Sequence, residues 1–430
     1  MKTGDGKSSG GRTRRHEAVP SSESTFSEQD MDSLVIAHLV ARESMSYEEI
    51  QELTGCSRAT IARRLQHAKS KGWLVERMEL QIPQRLRGLR EAYTEQVRHL
   101  RLERALLGHL HRYGVRGVTV VSDYESRRSG AWAVPRRIGR AAASRLAEVF
   151  QDQTGPVGIN WGWSTMWAIQ HLPPPARPKP ELVFVPLMGN LSIDQRLSEQ
   201  YEQSLMCSAN RLARVAGEVY GAPFRRLTTP AFIPKKFAVP PVGEVTREVQ
   251  DTIWSAMEED LSYQDVFGAG HRSGMRQGDA LIDRMNAIVT GMSGLEATST
   301  LTTMTRLIDE HDLAKLREAG YVGDLGGHFI RDPMLPARDP EAEHLANALS
   351  GLVVSAKPDD FVRTAQRARE SGSPSAGVFM IGRRPQKAPA FIAACRMGAV
   401  NELFTDEPTA QRMLDLLDAG QPANAALSPT

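Results

Sequence analysis

The feature that most constrains the fold is an alternation of short apolar segments with helical patterns, which begins at Gly114. Each apolar segment is bounded by glycine or polar residues, and helical stretches such as RRIGRAAASRLAEVF lie between them. The apolar segments are GVTVV, GPVGIN, ELVFVPL, NAIVTGM, AGVFMI and ELFTDE. Strands that alternate with helices form a mainly parallel sheet, because parallel neighbours need long crossover connections. We therefore predict an α/β domain over residues 114–420 and a tail over 421–430.

Length and composition limit the classes of protein that remain. A chain of 430 residues is too long for one hydrophobic core and indicates two or more domains. Its 53 basic and 51 acidic residues give a net charge of +2, so a surface for nucleic acid must be local. The three cysteines are far apart and predict neither a disulfide framework nor a thiolate zinc site, which fits a reducing compartment. Without a signal peptide or a long apolar run, we expect a cytoplasmic protein that has no contact with membranes.

The N-terminal region divides into a polar tail and a segment with helical signals. Residues 1–26 have few apolar side chains, and we expect a flexible tail there. Over residues 27–82, apolar periodicity predicts a first helix, and the S-x-x-E pattern of Ser46 and Glu49 caps a second. A glycine then permits a tight turn, and Ser57 can cap a third, basic helix. The alternating WLVERMELQI can form a short β wing, so we predict a winged helix-turn-helix.

The predicted third helix lies in a stretch from Ser57 to Val75 that has no acidic residue. Such a run can be a solvated surface, or it can lie in the major groove of DNA, where acids would repel phosphates and arginine can donate to guanine. The DNA interpretation is favoured because Ile61, Leu65 and Ala68 share one face and leave the basic residues on the others. The residues predicted to contact DNA are Ser57, Arg58, Thr60, Arg63, Arg64 and Lys69.

A long helical pattern over residues 83–113 is predicted to link the two domains. Leu86, Tyr93, Leu100 and Leu107 recur every seven residues. The repeat is compatible with a short interhelical seam or with a helix packed on its own domain, and the sequence leaves both open.

One segment, GPVGINWGWSTMWAI, predicts an anion-binding site. An apolar strand runs into a glycine-containing turn and then into a helix that carries Ser164 and Thr165 in its first turn, after Gly162. Backbone N–H groups and the helix dipole at such a point attract anions, and hydroxyls can add hydrogen bonds. The alternative is a tight turn that is merely capped by serine or threonine.

Two further segments are candidates for ligand contacts. GYVGDLGGHF packs four glycines around Asp324 and His328, which allows a close approach of the backbone to a ligand. GRRPQKAP places Arg383, Arg384 and Lys387 after a predicted strand, where ligands of open α/β sheets bind. The alternatives are a turn residue that bonds its own backbone and a solvated basic surface.

The sequence offers little evidence of catalysis. Asp406 and Glu407 form a carboxylate pair, but capping of a helix by Thr405 or Asp406 is the interpretation we favour. The common ATPase, hydrolase and zinc-protease signatures do not occur. We expect a protein that is not an enzyme, with no catalytic residue, metal site or cofactor.

The order of these segments resembles the SorC family of sugar-binding bacterial transcriptional regulators, from about Ser46 to Leu417. The stretches that carry the resemblance are SANRLARVAGEVYGAPFRRLTTPAFIP, GYVGDLGGHF and KAPAFIAACRMGAVNELFTDEPTAQRML. The resemblance implies an effector domain related in fold to glucosamine-6-phosphate deaminase and ribose-5-phosphate isomerase, and a homodimer or homotetramer. It also implies that a sugar or sugar phosphate binds at the strand ends and controls DNA binding. The residues that match pocket positions of the family are Gly162, Ser164, Thr165, Asn210, Asp324 and Lys387.

The chain departs from the family pattern at two places. Asn286 stands where the family often has aspartate, and an amide cannot act as the carboxylate base of sugar isomerisation. Arg383 and Arg384 stand where the family has small residues, so they either bind a more anionic effector or fill the pocket.

Three functional hypotheses follow, and the first is favoured. The protein is predicted to bind double-stranded operator DNA with an affinity that a sugar, polyol or sugar-phosphate effector controls. The second hypothesis is an isomerase-like or deaminase-like enzyme with a fused DNA reader. The third is a constitutive regulator whose effector pocket has degenerated.

Overall fold

The structure is a computed structural model, in which the chain divides into two compact units. One unit comprises residues 1–51 with 56–84, and the other comprises residues 52–55 with 85–430. The structure describes residues 27–41, 45–74, 98–122, 133–190, 205–233, 244–274, 279–295, 308–336 and 339–420. The predicted tails, residues 75–82 of the predicted wing and residues 83–97 of the predicted linker lie outside these ranges.

Within the described residues, the N-terminal unit contains three helices whose ends are fixed by local hydrogen bonds. They are α1 (Glu28–Ala41), α2 (Tyr47–Thr54) and α3 (Arg58–Ser70). The predicted capping box is confirmed, because Ser46 N donates to Glu49 Oε2 at 2.8 Å and Glu49 N donates to Ser46 Oγ at 3.2 Å. Gly55 has a φ of +66°, which a turn between two helices requires and which glycine adopts without strain.

The basic helix α3 packs through the face that its apolar spacing predicts. Ser57 caps the helix and accepts a hydrogen bond from Thr60 N at 3.2 Å. Ile61, Leu65 and Ala68 are all buried. The inward face is therefore apolar, and the remaining circumference carries the polar and basic residues.

The larger unit is built on a six-stranded sheet in which every neighbouring pair of strands is parallel. The strands are β1 (Gly117–Val121), β2 (Gly155–Ile159), β3 (Leu182–Pro186), β4 (Ala287–Thr290), β8 (Gly377–Ile381) and β9 (Glu402–Asp406). Their order in the sheet is β1-β9-β8-β4-β2-β3. All residues of β4, β8 and β9 are buried, which is typical of a parallel sheet covered on both faces. The predicted α/β class with a mainly parallel sheet is confirmed.

Helices cover the sheet and create two apolar cores. The helices of this unit are α4 (Leu100–Leu110), α5 (Ala133–Asp152), α6 (Trp163–Gln170), α7 (Ala209–Tyr220), α8 (Glu244–Glu258), α9 (Leu261–Phe267), α10 (Leu281–Arg284), α11 (Glu310–Glu318), α12 (Pro340–Ser350), α13 (Pro358–Ser371), α14 (Ala388–Arg396) and α15 (Glu407–Asp418). In one core, the rings of Phe184 and Tyr220 each meet Phe150 edge-on at centroid distances of 5.4 Å. The other core includes Phe361 and Phe391, both fully buried. No helix in the described ranges is both long and apolar enough to cross a bilayer.

A small antiparallel sheet, which the sequence analysis did not predict, accompanies the main one. It contains β5 (Ser293–Gly294), β6 (Tyr321–Leu325) and β7 (His328–Arg331) in the order β5-β6-β7. Gly326 and Gly327 form the two-residue turn between β6 and β7 with φ values of +67° and +89°. Two consecutive positive φ angles define the type I′ turn, which matches the twist of a hairpin and strongly favours glycine. The glycine-rich segment GYVGDLGGHF is therefore a tight hairpin.

Asn401 ties the sheet to the helix that covers it, and this contact gives a stability prediction. The fully buried amide donates from Nδ2 to Ala365 O at 3.1 Å and accepts from Val378 N at 2.8 Å. We expect Asn401→Ala to lower the free energy of unfolding by about 2–4 kcal/mol, because both backbone partners lose their hydrogen bonds in a buried place. Chemical denaturation measures the change, and the exposed Asn347→Ala serves as the control, with an expected change below about 0.5 kcal/mol. Equal stability of the two variants would contradict the assignment.

Candidate functional site

A small pocket opens where the parallel strands β2 and β4 end. Its volume is about 70 Å³. The residues that line it are Asn160, Trp161, Gly162, Trp163, Ser164, Gly291, Met292, Ser293, Asp324, Gly326 and Lys387. Four of these, Gly162, Ser164, Asp324 and Lys387, were predicted from the sequence. Segments far apart in the chain therefore meet at the edge of the sheet where ligands of α/β proteins bind.

The N-terminus of α6 forms one wall of the pocket. Gly162 precedes the helix with a φ of +138° and provides no side-chain cap for the first turn. Ser164 lines the pocket, whereas Thr165 is fully buried behind it. The Thr165 Oγ1 atom has no hydrogen-bond partner among the described residues. The wall thus offers backbone N–H groups and a hydroxyl to an acceptor in the pocket.

Asp324 brings a carboxyl group to the opposite side of the pocket. It lies on β6 and only 2% of its surface is exposed. Its Oδ1 accepts from Gly327 N at 3.0 Å, while Oδ2 is buried without a hydrogen-bond partner in the described structure. Burial raises the pKa of Asp324 to about 7, although the Gly327 N–H group and the charge of Lys387 act in the opposite direction. Near neutral pH this carboxyl group can accept or donate a hydrogen bond.

Lys387 places an ammonium group at the same pocket. It ends a short 3-10 turn that begins at Pro385, and α14 follows it directly. Its Nζ donates to Met292 O at 2.8 Å, which fixes the side chain against another lining residue. The pocket therefore combines a positive charge, a titrating carboxyl group and a helix N-terminus.

Asn160 is a lining residue that the sequence analysis missed. Its Nδ2 donates to Thr290 Oγ1 at 3.1 Å, and its Oδ1 accepts from Trp161 N at 2.9 Å. Thr290 in turn donates to Gly291 O at 2.8 Å. This network holds the ends of β2 and β4 together beneath the pocket. The available signal was the polar residue directly after the apolar strand in GPVGIN.

Asn210 does not line the pocket, contrary to the role that the family resemblance implies. Its Nδ2 donates to Asn190 Oδ1 at 2.8 Å and to Leu227 O at 3.0 Å, and its Oδ1 accepts from Leu227 N at 2.8 Å. The amide is thus occupied in joining the first turn of α7 to a neighbouring loop. We assign Asn210 a structural role in this chain.

Arg383 and Arg384 also lie outside the lining of the small pocket. Arg383 is half-buried and Arg384 is exposed. Arg384 has a φ of +93°, and among the described residues it is the one non-glycine residue with a positive φ. This conformation is one that glycine adopts without strain and that residues with a side chain rarely adopt. The two arginines do not fill the pocket.

The structure also shows the surroundings of Asn286 and of the Asp406–Glu407 carboxylate pair. Asn286 is exposed and precedes β4, so it lies at the opposite end of that strand from the pocket. An asparagine at this position, where aspartate was expected, therefore gives no information about catalysis in the pocket. Asp406 caps α15 and accepts from Thr409 N at 3.2 Å, as predicted. Glu407 accepts from Ser122 Oγ at 3.0 Å.

The outward face of α3 carries the residues predicted to contact DNA, with one correction. Arg58, Arg63 and Lys69 are exposed. Arg64 instead turns back onto α1, where it donates to Gln29 O at 3.2 Å and pairs with Asp32 at 2.7 Å. These contacts form because Arg64 lies nearer the apolar face, and they leave its side chain 19% exposed.

Two residues at the start of α3 serve the helix itself. Thr60 Oγ1 lies 2.9 Å from Ser57 Oγ, next to the hydrogen bond that caps the helix. His67, near the other end, lies 2.8 Å from Asp30 on α1. The exposed arginines therefore project from a helix that is held at both ends.

Comparison with known proteins agrees with this architecture. Residues 95–238 match the family model described as "Putative sugar-binding domain". This segment includes β1, β2, β3 and the α6 wall of the pocket. A search of curated protein sequences found no significant match.

Several solved structures share the fold at low sequence identity. A DeoR family transcriptional regulator from Listeria monocytogenes is 16% identical, with a TM-score of 0.51, over 73% of this chain and 98% of that chain. The full-length sorbitol operon regulator SorC from Klebsiella pneumoniae is 16% identical, with a TM-score of 0.50, over 90% of this chain and 100% of that chain. A domain of a possible sugar-binding transcriptional regulator from Arthrobacter aurescens TC1 is 19% identical, with a TM-score of 0.50, over 73% and 96% of the two chains.

The larger unit therefore has the mixed α/β fold of the sugar-binding domains of such regulators. In the matched domain and in its fold, the chain is thus similar to sugar-binding transcriptional regulators, among them the regulator SorC.

Proposed function

We propose that the protein is a DNA-binding transcriptional regulator whose affinity for operator DNA is controlled by a sugar, polyol or sugar-phosphate effector. The observation that carries the proposal is the pocket at the ends of β2 and β4, part of which lies within the matched sugar-binding domain. The proposal includes a role outside enzyme catalysis, a location in the cytoplasm and assembly as a homodimer or homotetramer. It also includes an effector domain related to the sugar-phosphate deaminases and isomerases.

The chemistry of the pocket fits a polyhydroxylated effector. The N–H groups at the start of α6 and the Ser164 hydroxyl can hold an anionic or carbonyl group. Asp324 Oδ2 has no partner among the described residues, and a ligand hydroxyl would supply one. Lys387 adds a positive charge. Arg383 and Arg384 are proposed to meet any anionic group that extends outside the pocket.

The volume of the pocket bears on how an effector acts. About 70 Å³ is small beside the roughly 300 Å³ at the low end of ligand pockets, so the pocket must widen to enclose a whole sugar. An effector shifts an equilibrium only by its different affinities for two arrangements. Preferential binding to the wider arrangement would provide that difference, and a coupling free energy of about 1–3 kcal/mol is ordinary for such systems.

The DNA-binding part of the proposal rests on α3. We assign base contacts to Arg58 and Arg63, and a phosphate contact to Lys69, because all three are exposed on one capped helix. Ser57 and Thr60 at its N-terminus can also meet a phosphate. The proposal retains a DNA-binding domain over 27–82, a linker helix over 83–113 and an effector domain over 114–420. It also retains tails over 1–26 and 421–430.

One observation favours a second candidate function, an enzyme of the isomerase or deaminase class. A buried carboxyl group with a pKa of about 7, next to a lysine, has properties suited to general acid–base catalysis. Incubation of the purified protein with ribose 5-phosphate and with glucosamine 6-phosphate distinguishes the candidates. We expect no turnover, and turnover that Asp324→Asn abolishes would favour the enzyme.

Arg63 is predicted to read a base pair of the operator. We expect Arg63→Ala to weaken binding to the operator by about 1–3 kcal/mol and to relax the preference at one base pair, because a bidentate contact to guanine is lost. Lys69→Ala should instead weaken binding to all sequences alike and lower the salt dependence. Fluorescence anisotropy on operator and scrambled DNA measures both. An equal loss on both DNAs for Arg63→Ala would mark it as a phosphate contact.

The second prediction concerns the effector. Lys387→Ala should abolish the effect of the sugar on DNA affinity and leave the affinity without effector unchanged, because Lys387 lies in the pocket and not on the DNA-binding unit. The exposed Lys315→Ala, on α11, is the matched control and should respond like the unmodified protein. A full response in Lys387→Ala would remove this residue from the site.

The third prediction concerns pH and Asp324. The folded pKa of about 7 lies above the ordinary value of 3.8, so the folded protein binds the proton more tightly than the unfolded chain does. The stabilising contribution of the protonated group is complete below pH 4 and is lost as the pH rises to about 7. The Asp324→Asn side chain cannot ionise. The melting temperature of this variant, relative to that of the unmodified protein, should therefore rise as the pH increases from 5 to 8. A constant difference across that range would contradict the raised pKa.

A further inference from the structure

A second, much larger cavity lies beside the small antiparallel sheet. Its volume is about 910 Å³, within the range of about 300–1,000 Å³ that is typical of sites for small molecules. Its walls come from β7, from α8, α9 and α12, and from residues 351–359. None of the pocket residues described above lines it, so it is a separate site.

The inner wall is formed by buried aromatic residues. Trp254, Tyr263, Tyr321 and Phe329 line the cavity, and each is less than 10% exposed. The Trp254 Nε1 group donates to Gly351 O at 3.0 Å, which fixes the indole ring. Large, rigid and mainly apolar faces of this kind favour a ligand that contains a ring.

Arg331 stands beside two of these aromatic residues. It pairs directly with Tyr321 across the β6–β7 ladder, and it lies two residues from Phe329 on the same strand. All three residues line the cavity, and a register irregularity interrupts the ladder between Tyr321 and Gly323. A guanidinium group and two aromatic rings therefore share one wall of the cavity.

The guanidinium group of Arg331 is held in place but not neutralised. Its Nε donates to Ala319 O at 2.9 Å. Among the described residues no carboxylate lies within ion-pair distance of it, and the residue is half-buried. The two Nη groups project from an anchored stem, so an anion could bind without the cost of ordering a flexible side chain.

The remaining charges of the lining do not compensate for Arg331. Arg272 pairs with Asp251 at 3.1 Å, and Asp332 forms a buried pair with Arg396. Lys357 is held by two carbonyl oxygens, those of His271 and Arg272, at 2.8 and 2.7 Å. Asp359 is the remaining acidic residue of the lining, and it is exposed. Arg331 is therefore a cationic group of the lining that forms no ion pair with these acidic residues.

Two histidines of the cavity lining are held by side-chain partners. His328 lies 3.0 Å from Ser355 Oγ, and burial lowers the pKa of His328 to about 3, so the ring is neutral at physiological pH. His271 lies 3.0 Å from Asp360 Oδ2. Such fixed groups line a site that requires little reorganisation when a ligand enters.

We propose that this cavity binds a small ring compound that carries an anionic group, with the ring against the aromatic wall and the anion on Arg331. The ligand is distinct from the effector of the small pocket, and the inference does not rest on DNA binding. The two sites share structure nonetheless. β6 carries Asp324 at the pocket and Tyr321 at the cavity, while Lys387 precedes α14 and Met397 follows it at the cavity.

The probe that tests the proposal is anilinonaphthalene sulfonate, which combines aromatic rings with an anion. Fluorescence titration of the full-length protein should show saturable binding of one probe per chain. Phenylnaphthylamine has the same rings without the sulfonate, and it should bind at least about tenfold more weakly. Equal affinities of the two probes would overturn the role of the anion, and the absence of saturable binding would overturn the site.

Variants locate the probe in the cavity. Arg331→Gln should weaken binding of the sulfonate probe at least about tenfold and leave the affinity for phenylnaphthylamine unchanged. Arg317→Gln is the matched control, because this arginine also donates to a backbone carbonyl, Leu295 O, but lies outside the cavity lining. Unchanged sulfonate binding in a folded Arg331→Gln protein would overturn the proposal. If Arg331→Gln does not fold, the affinities of the two probes for the unmodified protein still test whether the anionic group contributes to binding.

Discussion

The burial of the parallel sheet on both faces is the constraint on which the larger unit depends. Every residue of β4, β8 and β9 is buried, and the polar side chains of these strands lie at or next to the strand ends, at Thr290, Glu402, Thr405 and Asp406. Groups that meet a ligand must therefore lie at the strand ends or arrive from other elements. Asn160 lies at a strand end, directly after β2, whereas Asp324 reaches the pocket from β6 of the small sheet. The pocket therefore lies at the edge of the sheet, where polar groups from several elements meet.

The sequence predicted the elements that depend on local patterns. All six strands of the parallel sheet appeared as short apolar segments, because each strand is covered on both faces. The capping of α2 by Ser46 and Glu49, of α3 by Ser57 and of α15 by Asp406 was also predicted, since each cap involves residues only three positions apart. Four lining residues of the pocket were found in this way, from a glycine-containing turn and from the family resemblance.

The remaining features depend on contacts between distant segments, which a single sequence does not reveal. The small sheet was missed because β5 has two residues and pairs with a strand almost thirty positions away. Asn210 was placed in the pocket by resemblance, yet its amide joins α7 to a loop. Arg64 was counted among the DNA contacts, yet Asp32, more than thirty positions earlier, pairs with it. In the last two cases a polar side chain found its partner through tertiary packing.

We propose that a carbohydrate-like effector controls operator binding. The most direct test is the anisotropy of labelled DNA from upstream of the protein's own gene, titrated with protein at fixed salt, with and without a panel of sugars, polyols and sugar phosphates. We predict specific binding whose affinity one compound shifts at least about fivefold, which corresponds to roughly 1 kcal/mol of coupling free energy. Specific DNA binding that no compound on the panel alters would contradict the claim and favour a constitutive regulator.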